Sequence, residues 1–269
     1  MAAQRLDKII ASTGRWSRRE VKDLVRQGRV TVDDVPARSA EEKADPEQAV
    51  ITVNGEKLNW RRYTWVMLNK PAGYLSTTED GRGATVLDLL PQDLQRQGLF
   101  PVGRLDKDTE GLLLLTNEGG LAHELLSPKK HVDKEYYVRV AGCLSAADSA
   151  AFAEGLHLDD GLICQPAELR ILTSGEESEA RVILREGKFH QIKRMLAYLG
   201  MPVLYLERVR MGNLLLDPVL ERGAYRLLTK EEWQALAKLT EETRKPRNFN
   251  KKESDFLLKK EKTSCNPTK

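Results

Sequence analysis

Residues 102–119, VGRLDKDTEGLLLLTNEG, place a polar loop directly before a wholly apolar run. The run LLLL at 112–115 is typical of a buried β-strand, and TEG at 109–111 predicts a tight turn that leads into it. Asp106 lies in the loop, two residues after Arg104. A loop carboxylate can act as a nucleophile, but most loop aspartates only stabilise turns. The segment therefore predicts a strand and leaves two interpretations of Asp106 open.

The first 32 residues are more basic than the rest of the chain. They hold eight lysines and arginines against three acidic residues, whereas the net charge of all 269 residues is +3. A first helix is expected from about residue 5 to 12, and Ser17 and Glu20 form a capping-box pattern that begins a second helix, which Gly28 ends. A basic exterior on this helix pair favours polyanion binding, and an ordinary solvated helix face is the alternative. The basic residues that we assign to this surface are Arg5, Arg15, Arg18, Arg19, Lys22 and Arg26.

A change in composition near residue 61 predicts a second domain. Its expected elements are a strand that runs into Lys70, a helix near 121–126, the strand KEYYVRV at 134–140, and a helix between Ser145 and Gly155. Strands and helices then alternate to about residue 240, which predicts an α+β fold. We therefore expect domains at 1–60 and 61–240, followed by a charged and disordered tail at 241–269.

Bulk properties exclude several classes of protein. No apolar stretch approaches the eighteen or so residues of a membrane helix, and the N-terminus lacks a signal-peptide core, so we expect a cytoplasmic protein without a membrane contact. The three cysteines and four histidines show no metal-ligand spacing, which predicts that there is no metal site. No heptad pattern is present, and we expect a monomer.

A third informative segment is EGKFHQIKRM at 186–195. Ile192, Met195, Leu196 and Leu199 fall on one helical stripe, and Gly200 follows it. Gln191, Lys193 and Arg194 lie off that stripe. A cation on this helix can approach the loop carboxylate of Asp106.

Two resemblances follow from these motifs. Residues 5–34, RLDKIIASTGRWSRREVKDLVRQGRVTVDD, resemble the S4 RNA-binding domain. GRLDKDTEG at 103–111, DKEY at 133–136 and EGKFHQIKRM, in this order, resemble the pseudouridine synthases of the RsuA type from residue 4 to about 240. The resemblance implies a small N-terminal S4 domain followed by a catalytic domain with a mixed, mainly antiparallel sheet.

The resemblance also implies a reaction and roles for residues. The family isomerises uridine to pseudouridine in RNA, and this chemistry uses neither a metal nor another cofactor. Asp106 matches the nucleophile, Lys193 the cation that pairs with it, and Tyr136 the tyrosine that stacks on the target uracil. Arg104 matches the residue that fills the space of the flipped nucleotide or holds a phosphate. We expect further RNA contacts from the basic residues of the S4 domain and from Gln191 and Arg194.

One segment of the sequence bears on which RNA is the substrate. SPKKHVDKEY at 127–136 is similar to members that modify small-subunit (16S) ribosomal RNA, so we expect that RNA, either naked or in a partly assembled ribosomal subunit. Large-subunit (23S) RNA and tRNA are the alternatives. A protein of another class, which binds RNA through the S4 domain and assists ribosome assembly without catalysis, is the second alternative.

Overall fold

The computed structural model describes residues 3–79 and 83–242, so the expected tail lies, from residue 243 onward, outside the described residues. The N-terminal unit begins with α1 (Leu6–Ala11) and α2 (Arg18–Arg26), which pack as a hairpin. Ser17 and Glu20 form the predicted capping box at the start of α2. The apolar faces of the two helices meet a core to which residues up to Trp60 contribute, and the basic side chains of α2 face solvent.

A small antiparallel sheet completes this unit. Its strands are β1 (Val30–Val32), β2 (Val35–Pro36), β3 (Ile51–Val53) and β4 (Glu56–Lys57), in the order β2-β1-β3-β4. Asn54 and Gly55 both have positive φ, at 54° and 79°, and make the tight turn between β3 and β4. Gln4–Arg5 pairs separately with Lys43–Ala44.

The larger unit is built on a nine-stranded sheet. Its strands, in chain order, are β5 (Trp65–Lys70), β6 (Phe100–Pro101), β7 (Glu110–Thr116), β8 (Lys134–Ala141), β9 (Glu168–Thr173), β10 (Glu177–Leu184), β11 (Val203–Met211), β12 (Leu214–Leu215) and β13 (Tyr225–Leu227). The spatial order is β9-β10-β8-β11-β7-β5-β13, with β12 paired to β11 and β6 to β7. Every pairing is antiparallel except β11 with β7. The sheet is therefore mixed and mainly antiparallel, as expected.

Helices cover this sheet and divide its core into apolar clusters. They are α3 (Gln92–Gln95), α4 (Gly119–Leu126), α5 (Ala146–Glu154), α6 (Gln191–Tyr198) and α7 (Lys230–Glu242). Ile192, Met195 and Leu196 of α6 pack on the side of the sheet that carries Val138 and Val182. Within the described ranges, no helix is long and apolar enough to cross a membrane.

The predicted turn before β7 is wrong by two residues. Glu110 and Gly111 already belong to the strand, because Glu110 pairs with Glu207 and Gly111 with Arg208 of β11. The turn is instead closed by a hydrogen bond from the Thr109 N–H to the Asp106 carbonyl, at 3.1 Å. This parallel pairing brings the loop that holds Asp106 next to β11 and β8.

The two units are in direct contact. Gln97 Nε2 donates to the Thr13 carbonyl oxygen at 2.9 Å. Gly14 lies so close to Asp93 that a Cβ at position 14 would overlap the Asp93 carbonyl oxygen.

Candidate active site

A buried lysine fixes the loop that holds Asp106. Lys70, the last residue of β5, is 0% exposed, and its ammonium donates to the carbonyls of Pro71, Asp106, Lys107 and Thr109 at 2.8–3.2 Å. Burial lowers the pKa of Lys70 to about 8. Sequence patterns gave Lys70 no role, although a lysine at the end of a buried strand points to an unusual environment, because lysine is rarely buried without partners.

Lys193 and Asp106 lie together, as the sequence predicts. Lys193 Nζ is 3.3 Å from Asp106 Oδ2, and it also donates to Asp108 Oδ1. The Lys193 ammonium holds the pKa of the Asp108 carboxyl below its usual range. The ammonium of Lys193 thus pairs with two carboxylates of the same loop.

His190 contacts the other oxygen of the same carboxylate. Its Nε2 lies 3.5 Å from Asp106 Oδ1, at the start of α6. Sequence patterns did not identify His190 as a site residue, although His190 and Lys193 are three positions apart, a spacing that places side chains close together at a helix start. Asp106 is therefore held between two nitrogen groups from one segment.

Tyr136 completes a pocket with these residues. Asp106, Tyr136 and Lys193 all line a cavity of about 80 Å³, although they come from a loop, from β8 and from α6. Its apolar walls include Leu184 and Leu206. Thr109 also lines the cavity, and its buried hydroxyl has no hydrogen-bond partner among the described residues. The three residues predicted to be catalytic are thus gathered around one small space.

A wider cleft adjoins this cavity. Its volume is about 610 Å³, and it lies between residues 75–77 on one side and 187–190 on the other, with Arg104 and Asp106 common to cleft and cavity. Arg104 is exposed and lines both. A nucleotide can therefore approach Asp106 through the cleft, past an arginine.

Two of the residues predicted to contact RNA also have polar partners within the protein. Gln191 is only 4% exposed: its amide nitrogen donates to Glu186 Oε1 at 2.6 Å, and its amide oxygen accepts from the Lys188 N–H at 3.0 Å. Gln191 supports the 186–190 loop from within and also lines the cavity around Asp106, so an RNA contact for it stays a prediction. Arg194 is half-buried and paired with Asp160.

The basic residues of the N-terminal unit form a second concave surface, about 410 Å³ in volume. We call it the basic cleft, and Arg5, Lys8, Arg18, Arg19 and Lys22 line it, together with Asp7. Asp7 is buried and ion-paired with Arg5 at 2.9 Å, which lowers the pKa of the Asp7 carboxyl. Arg15 and Arg26, which the sequence also assigned to RNA, lie outside this cleft and pair with Glu56 and Asp23.

Across residues 3–79 and 83–242, no cluster of three or more His, Cys, Asp or Glu side chains is arranged to hold a metal ion.

Known proteins resemble the chain over most of its length. The sequence profile of RNA pseudouridylate synthases matches residues 64–198, and that of the S4 domain matches residues 4–50. An uncharacterized RNA pseudouridine synthase of Bacillus subtilis is 46% identical over 86% of this chain and 98% of its own length. The ribosomal small subunit pseudouridine synthase A of Vibrio cholerae is 38% identical over 85% and 97%. A crystal structure of a pseudouridylate synthase superimposes with a TM-score of 0.61, at 36% identity, over 87% of this chain and 99% of that one.

Proposed function

Because the chain belongs to the RNA pseudouridylate synthase family and carries an S4 domain, we propose that it isomerises a uridine of small-subunit ribosomal RNA to pseudouridine. The choice of RNA is supported by the similarity to the small-subunit enzyme of Vibrio cholerae and by the segment at 127–136. The observation that carries the assignment of the site is the convergence of Asp106, Tyr136 and Lys193 on one cavity. A ribosomal RNA substrate implies that the protein acts in the cytoplasm.

The reaction rearranges bonds within one nucleotide. The bond between N1 and C1′ breaks, the freed uracil turns, and C5 joins C1′; C5 loses a proton and N1 gains one. Asp106 is the proposed nucleophile, and attack at C1′, attack at C6 and assistance through a glycal-like intermediate are all open to its carboxylate. The small cavity is suited to keep the freed base beside the sugar, which makes the second bond formation intramolecular.

Each neighbour of Asp106 has a distinct task. The ammonium of Lys193 attracts the carboxylate and orients it toward the cavity. Tyr136 offers an aromatic face to the target uracil, and such stacking contributes about 1–3 kcal/mol per base. That gain offsets much of the few kcal/mol needed to unstack the nucleotide. Arg104, at the mouth, is placed to hold a phosphate or to fill the vacated position in the RNA.

The basic cleft supplies affinity for RNA beyond the pocket. Five cations line one concave surface, and positive charge gathered in this way attracts a phosphate backbone. Recognition of folded RNA by this cleft is proposed to select the site, since the catalytic pocket contacts little beyond uracil.

The assay is pseudouridine formation on a transcript of small-subunit ribosomal RNA, read by mass spectrometry of its nuclease fragments. Wild type is expected to convert one uridine, and Asp106→Asn to convert none while it still binds RNA. Asp108→Asn is the matched control, because it neutralises an exposed carboxylate of the same loop that lies outside the cavity. Equal conversion by wild type and Asp106→Asn would contradict the nucleophile assignment.

Transcripts of 23S RNA and tRNA, tested in parallel, decide between substrate classes. Conversion of one of these, with none in the small-subunit transcript, would overturn the substrate and leave the reaction standing. Binding without conversion of any RNA by wild type would favour the noncatalytic alternative.

A further inference from the structure

The rim of the active-site cleft carries an exposed aromatic ring that the proposed reaction does not use. Phe189 is 71% exposed and lies immediately before His190, the residue at the start of α6. Single exposed apolar side chains are common on protein surfaces, so the distinguishing feature of Phe189 is its position on the cleft. Phe189 lines the 610 Å³ cleft, but it does not line the small cavity that holds Tyr136.

The ring is held in place by its neighbour. Phe189 stacks on His190 with ring centroids 3.8 Å apart and planes inclined by 18°. His190 has a φ of +51°, a left-handed conformation that costs a residue other than glycine about 1 kcal/mol. This conformation allows the rings of two consecutive residues to stack, and it directs His190 Nε2 toward Asp106, 3.5 Å away. The stacked pair is thus connected to the reacting carboxylate.

The charges around the ring favour RNA as the partner. Arg104 and Lys107 lie on the same cleft, are exposed, and form no ion pair with another described residue. Exposed cations beside an aromatic face are the combination that binds single-stranded RNA: the cations meet phosphates and the ring meets a base.

We propose that Phe189, supported by His190, is a stacking platform for the nucleobase next to the target uridine. The inference rests on the proposed function. When the uridine leaves the stack to enter the cavity, its neighbour loses a stacking partner, and an aromatic ring at the cleft mouth replaces it. The platform would lower the cost of flipping and hold the RNA in register with Asp106.

The protein-side test uses three variants and naked small-subunit RNA. Phe189→Leu keeps an apolar side chain without a ring, Phe189→Trp restores an aromatic face, and Leu215→Ala removes an exposed apolar side chain that does not line the cleft. Phe189→Leu is expected to raise the RNA concentration at half-maximal single-turnover rate about 10-fold, in line with the loss of one stacked base. Phe189→Trp should restore the wild-type value, and Leu215→Ala should not change it.

The RNA-side test replaces the base on the 5′ or the 3′ side of the uridine by an abasic residue. On one of these two RNAs, wild type and Phe189→Leu should become equal, because the ring no longer has a base to contact. Binding of the same RNAs is measured in parallel in the Asp106→Asn background, so that the platform is tested even without turnover.

The possible results distinguish a failure of the Phe189 platform from a failure of the proposed function. If wild type converts uridine and Phe189→Leu matches it in rate and binding, the platform is overturned and the proposed function stands. A penalty that persists on both abasic RNAs would also overturn the platform. An effect of Phe189→Leu seen only with ribosomal particles, and not with naked RNA, would assign the ring to a protein partner. Failure of wild type to convert any RNA would overturn the proposed function itself.

Discussion

The ammonium of Lys193 lies 3.3 Å from Oδ2 of Asp106, although one residue belongs to α6 and the other to the loop before β7. Two independent supports bring them together. Lys70, at the end of β5, fixes the loop by hydrogen bonds to its backbone carbonyls. The apolar stripe of α6 packs on the sheet, and this packing places Lys193 next to the loop. The geometry of the pair therefore depends on buried interactions that involve neither substrate nor solvent.

The first prediction concerns the cation itself. Lys193→Met should lower the single-turnover rate about 100-fold, the usual scale for loss of one preorganised electrostatic contact. Lys193→Arg should recover part of the rate because the positive charge remains. The measurement is pseudouridine formation at saturating RNA. Asp108→Asn, which removes the competing carboxylate, should stay within about 10-fold of wild type, and a larger loss would mean that Asp108 takes part in the reaction.

The second prediction compares how much two buried lysines contribute to the stability of the fold. Burial lowers the pKa of both Lys70 and Lys134 to about 8, but their surroundings differ. Lys70 donates to four carbonyls, whereas Lys134 donates to the Val132 carbonyl at 3.3 Å and lies near the positive charge of Arg208. Lys70→Met should therefore lower the free energy of unfolding in urea by about 2–4 kcal/mol, and Lys134→Met by less than about 1 kcal/mol.

The pH dependence of the free energy of unfolding tests whether these two lysines titrate with a lowered pKa. Because the pKa of each is lower in the folded protein than its usual value of 10.5, the unfolded chain binds more protons above pH 8, and stability rises with pH from about 8 toward 10. Each methionine variant should show a smaller rise than wild type. An unchanged slope in both variants would mean that neither lysine titrates in this range.

The third prediction tests the close approach of β7 and β11. Gly111 has a φ of +93°, and a Cβ there would overlap the backbone oxygen of Arg208. Gly73 has the same φ of +93° but nothing within 4 Å of a Cβ, which makes it a matched control. Gly73→Ala should lower the free energy of unfolding by about 1 kcal/mol, and Gly111→Ala by at least about 3 kcal/mol, because strand separation adds to the backbone cost. If thermal or urea unfolding shows the same loss of stability in both alanine variants, β7 and β11 accommodate the added Cβ without an energetic cost.

Sequence patterns predicted the parts of this site that depend on local rules. The capping box at Ser17 located α2, and the apolar run at 112–115 located β7, because both signals act within a few residues. The parallel pairing that extends β7 back to Glu110 depends on β11, which is distant in sequence, so the predicted turn was misplaced. Gln191 lies off the apolar stripe of α6, and the stripe does not predict its burial, which depends on the bonds to Glu186 and Lys188 in the turn before the helix.

Lys70 and Phe189 were missed for opposite reasons. Lysines are rarely fully buried and phenylalanines are rarely this exposed, so neither environment follows from residue type. Only the tertiary structure shows that four carbonyls surround the first and that a cleft borders the second. For the catalytic roles, the sequence resemblance supplied the hypothesis and the structure supplied the geometry.

The fourth prediction concerns the basic cleft. Reversal of charge at Arg18 and Arg19, to Glu, should weaken binding to ribosomal RNA at low salt and make the affinity less dependent on salt concentration, since each phosphate contact contributes to that dependence. Arg38→Glu is the control, because Arg38 is an exposed arginine of the same domain outside the cleft. Filter binding across a salt titration measures the affinity for RNA and its dependence on salt concentration. Equal weakening per reversed charge in the control would mean that only overall charge matters.

The fifth prediction concerns the contact between the two domains. Gly14 has a φ of +77°, and a Cβ there would overlap the Asp93 carbonyl, whereas Gly28 has a φ of +69° and open space around it. Both alanine variants carry the same local backbone cost, but only Gly14→Ala must push the domains apart and break the bond from Gln97 to Thr13. It should therefore make cleavage near residue 61 faster in limited proteolysis and reduce conversion of long RNA. If Gly28→Ala has an equal effect, the cause lies within the S4 domain, and a rigid contact between the domains is not required for activity.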